Sequence, residues 1–384
     1  MTSIRLIART TAWLAAATLL VTTGAAQEPA TAPTDLQPLL ATILDKHGVP
    51  ALGVAVIVDG KLAAIGVDGV RRRGHADPVT TEDRWHLGSC TKAMTATLLA
   101  RQVAAGKLTW SATVADTMPD LRDGMHETAR SITVAQLLQH RAGVPAGPSS
   151  SLWNELYRYE GSDADARTAV AAELLGRPVT DRGRRYLYSN AGYMIAGAVA
   201  ERVDSTNDPS RSWQQLMRDE IFAPLGMNTA GFGPPGPREQ PTQPWGHANK
   251  SSPPLYRDNP TSMGPAGTVH ASLRDWARFV TLHLGIHAVD GSEHPLRKLP
   301  LHDLHTPPAD GGGGGGGGYA LGWAVCERRW APGQILTHSG SNTMWHCVAW
   351  LAPEIDFAVL VTCNQGDAAA ACDAVAAACI ARFR

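Results

Sequence analysis

No sign of charge dominates this chain: 34 Lys and Arg face 35 Asp and Glu, for a formal net charge of -1 over 384 residues. Without a cationic excess nothing draws nucleic acid or an anionic lipid surface to the protein, and neither is an expected partner. Charged side chains are also few, 18% against 44% apolar, a balance that excludes a disordered or fibrous polymer and leaves ample material for a core. The six cysteines, Cys90, Cys326, Cys347, Cys363, Cys372 and Cys379, include no CxxC pair. Neither a zinc site nor a dithiol redox site is indicated, and small buried hydrophobes are the simpler reading. After the first 26 residues no apolar run approaches the roughly 20 residues of a spanning helix, so no stable membrane insertion is expected. Eight consecutive glycines, Gly311 to Gly318, lack the Lys-Ser or Lys-Thr that follows a phosphate-cradling loop and read as a flexible linker.

What the chain does contain begins with a targeting grammar. Arg5 and Arg9 precede an apolar stretch from Ala12 to Val21, and small residues follow to Ala26. That order predicts a signal peptide over 1–26, a linker over 27–34 and an exported protein, periplasmic or secreted. Beyond it, LQPLLATILDKHG repeats apolar residues at helical spacing, and ALGVAVIVDGKLAAIGV reads as two strands joined at Asp59-Gly60. Helical patterns then run from about Thr91 to Ala105 and through ITVAQLLQH, AVAAELLG, GYMIAGAVAERV, WQQLMRDEIF and SLRDWARFVTLHLG. Strands return at YALGWAV, QILTHSG, WHCVAWLA and FAVLVTCN before an alanine-rich final helix. The pattern predicts an α+β domain over 35–384: an antiparallel sheet, from about 35–80 and 285–384, flanked by N- and C-terminal helices. A mostly helical subdomain over about 81–284 is inserted in it, with a groove between the two parts.

Chemistry enters at LGSCTKAMT, residues 87–95, where a serine, a cysteine and a lysine crowd the start of a helix. Ser89 and Lys92 are three residues apart and share one face of the first turn, which sets an amine beside a hydroxyl. The free amides of that turn favour the anion an attacking serine becomes. Cys90 projects about 100 degrees away around the helix, with no partner at helical spacing, and reads as packing. With only six lysines in the chain and serine at an ordinary frequency of about 7%, roughly 0.4 Ser-x-x-Lys matches arise by chance, so the spacing alone is weak. Two further elements strengthen it: Tyr188 and Asn190 flank Ser189 where YLYSNAGYMIAG turns into a helix, and His338, Ser339 and Gly340 end a strand in ILTHSGSNT.

With these three motifs in this order the sequence resembles the serine beta-lactamase and penicillin-binding protein superfamily, in the branch of class C beta-lactamases, related esterases and D-amino-acid peptidases. The stretches LLQHRAGVP, APLGM, GPAGTVHASLRDWARF and YALGW add to the likeness, which covers roughly 36–384. The resemblance implies a beta-lactamase/transpeptidase-like fold and an acyl-enzyme cycle. Ser89 attacks a carbonyl, Lys92 and Tyr188 handle its proton, and the backbone amides of Ser89 and Ser341 form an oxyanion hole. Asn190, His338, Ser339 and Gly340 bind substrate, with Asn190 also holding Lys92. No cofactor and no metal enter that cycle, and the partner is a small-molecule or peptide substrate, cell-wall fragments included. The base stays open between two residues. Half-neutral lysine at pH 7 costs about 4.6 kcal/mol and half-ionised tyrosine about 4, so the pair is treated as one coupled site that adjacent charge and the helix end favour.

The departures bear on substrate. Relatives usually carry Lys-Thr-Gly at the third motif, and here His338 replaces the lysine, removing a permanent anchor for a carboxylate and weakening the case for strong beta-lactam hydrolysis. Trp345 follows closely and either narrows the cleft or packs beneath the sheet. The loops holding Trp153, Tyr157, Trp245 and Tyr256 are expected to border the cleft. An esterase or D-amino-acid peptidase-like activity is therefore expected. The alternatives are a true class C-like beta-lactamase and an acylatable sensor that turns over little. A catalytic metal is disfavoured because His283 and His287 lack an intervening glutamate and His302 and His305 lie in a proline-flanked segment.

Overall fold

The computed structural model describes residues 35–204, 211–285, 296, 298–310 and 317–384. The expected signal peptide and linker, His287 and most of the glycine run lie outside them. A seven-stranded sheet runs β2-β1-β10-β9-β8-β7-β6, every neighbour antiparallel. Its strands are β1 (Ala51–Val58), β2 (Lys61–Gly69), β6 (Gly318–Tyr319), β7 (Ala324–Arg328), β8 (Ala331–Ser341), β9 (His346–Ala352) and β10 (Phe357–Cys363). The hairpin at Asp59 and Gly60 turns with φ of 49° and 73°, the left-handed pair a two-residue turn requires.

The unbroken apolar run of β1 follows from its central place. Leu52, Val54 and Val56 join one buried cluster with Leu40 of helix α1 (Gln37–His47) and Val375 of the closing helix, Ala369–Phe383. Ala51, Ala55 and Ile57 alternate with them and join the larger cluster on the opposite face. Covered on both sides, the strand has no polar face to display. The larger cluster continues into the helical part through α2 (Thr91–Ala104), α3 (Asp163–Leu175), α4 (Asn190–Asp204) and α5 (Leu273–Leu284), and the closing helix is α6.

One element of this helical part has no counterpart in the sequence reading. Strands β3 (Arg84–His86), β4 (Gly231–Phe232) and β5 (Val269–Ser272) form a second antiparallel sheet, ordered β3-β5-β4. Two to four residues are too few for alternation to show, and these strands exist through pairing across the fold. The loop SSSLWNELYRYEG also carries a helix, Ser150–Leu156, capped by the Ser149 hydroxyl. Among the described residues no helix is long and apolar enough to cross a membrane.

Candidate active site

The site forms where β3 hands the chain through a tight turn, Gly88–Cys90, into α2. Leu87 N–H bonds to Val269 O at 2.8 Å, docking the turn on β5. Gly88 has φ of 46°, and a Cβ there would lie 2.4 Å from the amide nitrogen of Ser341; one on Gly340 would lie 2.1 Å from Leu87 O and 2.9 Å from Ser89 N. The nucleophile turn and strand β8 thus meet backbone to backbone, which only glycine allows at these two positions. That contact brings the third motif beside the first.

The second motif arrives on the N-terminus of α4. Ser189 caps the helix, its Oγ accepting the Gly192 N–H at 2.9 Å and donating to Pro145 O, while its neighbours on either side reach the site. Tyr188 OH lies 2.8 Å from Ser89 Oγ, and Asn190 Oδ1 accepts from Lys92 Nζ at 2.8 Å. Lys92 Nζ stands 3.0 Å from Ser89 Oγ and donates to Ala266 O at 2.7 Å. Lys92 is fully buried, and no carboxylate lies within ion-pair distance of it among the described residues. Burial, only partly offset by the neighbouring Cys90 thiol, holds its amine well below the usual lysine range. A neutral amine has two N–H donors and one lone pair. The Asn190 and Ala266 oxygens only accept, so they use both donors, and the lone pair faces the Ser89 hydroxyl.

Tyr188 differs from the expectation that its surroundings favour the phenolate. Burial pushes its phenol up, outweighing the hydrogen bond with Ser89, so Tyr188 stands as a neutral donor. The coupled pair expected from sequence thus meets one common influence, burial, which disfavours the charged form of the amine and of the phenol alike. Lys92 Nζ lies 4.8 Å from the Tyr188 ring centre and 5.4 Å from that of Tyr193, faces that accommodate a transient ammonium.

At the third motif His338 is 6% exposed. Its Nδ1 donates to the Ser339 carbonyl at 2.6 Å, and Nε2 pairs with Tyr319 OH at 2.9 Å, so both ring nitrogens are engaged within the protein. Strand β7 accompanies β8 only as far as Thr337, so from His338 to Ser341 that edge carries no partner strand among the described residues. Ser339 and Ser341 are exposed there. A cavity of about 380 Å³ adjoins it, walled by Tyr186, Tyr188, Tyr319, His338, Val348 and Trp350, with Asp373 also on its lining. No lysine or arginine lines it.

The structure places the remaining candidates and corrects one expectation, that the aromatic loops border the cleft. Trp345 is 2% exposed, edge-on to Trp85 at 6.2 Å, and packs beneath the sheet without narrowing the cleft. Neither aromatic loop lines the cavity: Trp153 meets Tyr157 at 5.8 Å and Trp245 meets Tyr256 at 5.5 Å. Cys90 turns toward the sheet, its Sγ 3.5 Å from that of Cys347, and all six cysteines are free thiols. His283 is a core residue bonded to His305 at 2.9 Å, and no group of three metal-ligating side chains gathers among the described residues. Sequence reasoning missed His140. Its carbonyl accepts the Leu187 N–H at 2.7 Å, its Nδ1 accepts the Ser189 N–H at 3.0 Å, and its ring lies 4.2 Å from that of Tyr188. The stretch LLQHRAGVP contains it, but only the fold shows that it grips Tyr188 from both sides.

An antiparallel sheet between terminal helices, a helical insert, and a Ser-x-x-Lys turn against the sheet together define the serine hydrolases of the beta-lactamase and penicillin-binding protein class. The chain belongs to the beta-lactamase family, whose model, described as Beta-lactamase, matches residues 36–381. It is 30% identical over 254 residues to Penicillin-binding protein 4 of Amycolatopsis lactamdurans, covering 62% of this chain and 60% of that one. To Unguisins hydrolase ungD' of Aspergillus campestris (strain IBT 28561) it is 24% identical over 351 residues, covering 86% and 61%. The chain therefore spans about three fifths of the length of these relatives. A solved class C beta-lactamase shares the fold at a TM-score of 0.74 and 18% identity, over 90% of this chain and 95% of that one.

Proposed function

We propose that the protein is an acyl-enzyme hydrolase of esters or amides in which Ser89 is the nucleophile, Lys92 the base and Tyr188 the proton donor. As the Ser89 Oγ–carbon bond forms, the hydroxyl proton passes to Lys92 Nζ, and the carbonyl becomes an oxyanion between the amides of Ser89 and Ser341. Donors so placed each contribute about 10²–10³ in rate. Tyr188 gives its proton to the leaving oxygen or nitrogen, regains one from the Lys92 ammonium, and the acyl-enzyme remains. Water then attacks, its proton passing to Lys92, and as the Ser89 Oγ–acyl bond breaks Lys92 returns that proton to Ser89 Oγ, which releases the acid and restores the neutral amine.

The observation that carries this reading is Ser89 Oγ held between Lys92 Nζ at 3.0 Å and Tyr188 OH at 2.8 Å, with that lysine fully buried. The wall of the cavity supports the finer choice. With both His338 nitrogens already engaged by Tyr319 and the Ser339 carbonyl, no lysine or arginine on the lining and Asp373 among its residues, the site suits an uncharged acyl or leaving group better than a carboxylate. An esterase or D-amino-acid peptidase-like activity fits this better than strong beta-lactam hydrolysis. The open edge of β8 suits an extended amide, which would bind as an added strand with Asn190, Ser339 and Gly340 around it. The hydrolase name of the Aspergillus relative agrees, whereas the Amycolatopsis relative, a penicillin-binding protein by name, supports a second reading in which the acyl-enzyme forms but is slowly released. Export through residues 1–26 belongs to the same proposal.

Intact-protein mass spectrometry after exposure to esters, D-Ala-D-Ala peptides and beta-lactams tests it. Adducts are expected on the wild type and absent from Ser89→Ala; adducts that persist in the variant remove Ser89 from the mechanism. A burst on p-nitrophenyl acetate followed by steady turnover identifies an enzyme, and a burst alone a trap.

A further inference from the structure

One buried carboxylate touches both sides of the oxyanion hole. Asp258, its side chain 4% exposed, sits in the loop PWGHANKSSPPLYRDNP, and its Oδ2 lies 2.6 Å from His86 Nε2. The Nδ1 of that imidazole accepts the Gly88 N–H at 3.1 Å, which leaves the ring proton on Nε2, where it is donated to Asp258. Asp258 thus fixes the tautomer of His86, and His86 fixes the turn that presents the Ser89 amide. The other carboxylate oxygen accepts from Asn342 Nδ2 at 3.0 Å and from the Asn259 amide at 2.8 Å. Asn342 directly follows Ser341, and its Oδ1 accepts the Met344 N–H at 3.1 Å, bracing the chain as it leaves β8. His86, Asp258 and Asn342 are far apart in sequence and share no helix or strand, so a single carboxylate adds a second tie between two segments that already meet at Gly88 and Gly340.

We propose that Asp258 is a positioning residue that sets the span between the Ser89 and Ser341 amides, holding one through His86 and the other through Asn342. The proposal rests on the reading of Ser89 as nucleophile. Asp258→Asn keeps the size but sets an amide N–H against either the His86 N–H or the Asn342 amide group, two donors facing each other. The span matters to the charged tetrahedral state and little to the ground-state carbonyl.

Two measurements on the full chain test this: steady-state hydrolysis of p-nitrophenyl acetate, and the affinity of phenylboronic acid, which a nucleophilic serine converts to a tetrahedral anion. In Asp258→Asn, kcat is expected to fall by about 30- to 100-fold with KM within twofold, and boronate affinity to fall by a matching factor. Asn342→Ala, which cuts one arm and leaves the carboxylate with its other partners, is expected to give about a tenfold loss with the same match. That variant carries the test if Asp258→Asn does not fold. A loss confined to KM, or unchanged boronate affinity in a folded variant, overturns the proposal. Failure of the underlying reading looks different: Ser89→Ala would then hydrolyse the ester or bind the boronate as the wild type does.

Discussion

Two nitrogen bases face the cleft, and the fold treats them in opposite ways. Lys92 is buried beneath Tyr188 and Tyr193 with two carbonyl acceptors and, among the described residues, no carboxylate partner, so burial lowers its affinity for a proton, as the proposed role of base requires. His338 stands on the cavity wall, tied to Tyr319 and to the Ser339 carbonyl, with both ring nitrogens engaged. In the proposed mechanism the first region carries the bond-making chemistry and the second reads the substrate. On that proposal, His338 in place of a family lysine changes what is bound without touching how it is cleaved.

This division can be broken from either side. The largest effect is expected at the sealed corner: Ser89→Ala and Lys92→Ala should each lower kcat on p-nitrophenyl acetate by about 10⁴-fold or more, and retention of near-normal turnover by either would remove that residue. Tyr188→Phe keeps the packing and loses one proton donor, so a fall of about 10²–10⁴ in kcat is expected. At the cavity wall the scale is smaller. His338→Lys should lower KM for a carboxylate-bearing ester roughly tenfold relative to its uncharged analogue, as one charge-assisted hydrogen bond allows, while kcat stays within a few-fold. The smallest effect concerns stability. Because the folded protein holds Lys92 below the unfolded lysine range, the cost of burying it is greatest at low pH and fades as pH climbs toward 10.5. Lys92→Met should thus melt above the wild type in acid, with the gap closing as pH rises; a gap that widens with pH would mean the lysine is charged in the folded state.

The sequence revealed what was local. Ser89 and Lys92 are one helical turn apart, the Asp59-Gly60 hairpin is a two-residue signal, and β1 announces its burial by composition. Tyr188, Asn190 and His338 were legible only as company for that turn, since nothing in their spacing brings them within reach of residue 89. The division of labour between Lys92 and Tyr188 was not legible, because the two costs are nearly equal in water and differ only once burial is known. The His140 grip and the Asp258 bridge were invisible for a related reason: each joins segments that meet only through tertiary folding. The strands β3, β4 and β5 were missed because their pairing, not their composition, makes them strands.

The contact of Gly88 and Gly340 with main-chain atoms across the groove has a consequence for redesign. Even a methyl group at either position would act as a wedge, prising the attacking residue away from the strand that receives the carbonyl. Efforts to broaden or redirect the range of compounds accepted belong instead at Tyr186, Val348 and Trp350, where walls can be recarved while the close approach of the Ser89 turn to β8 is left in place.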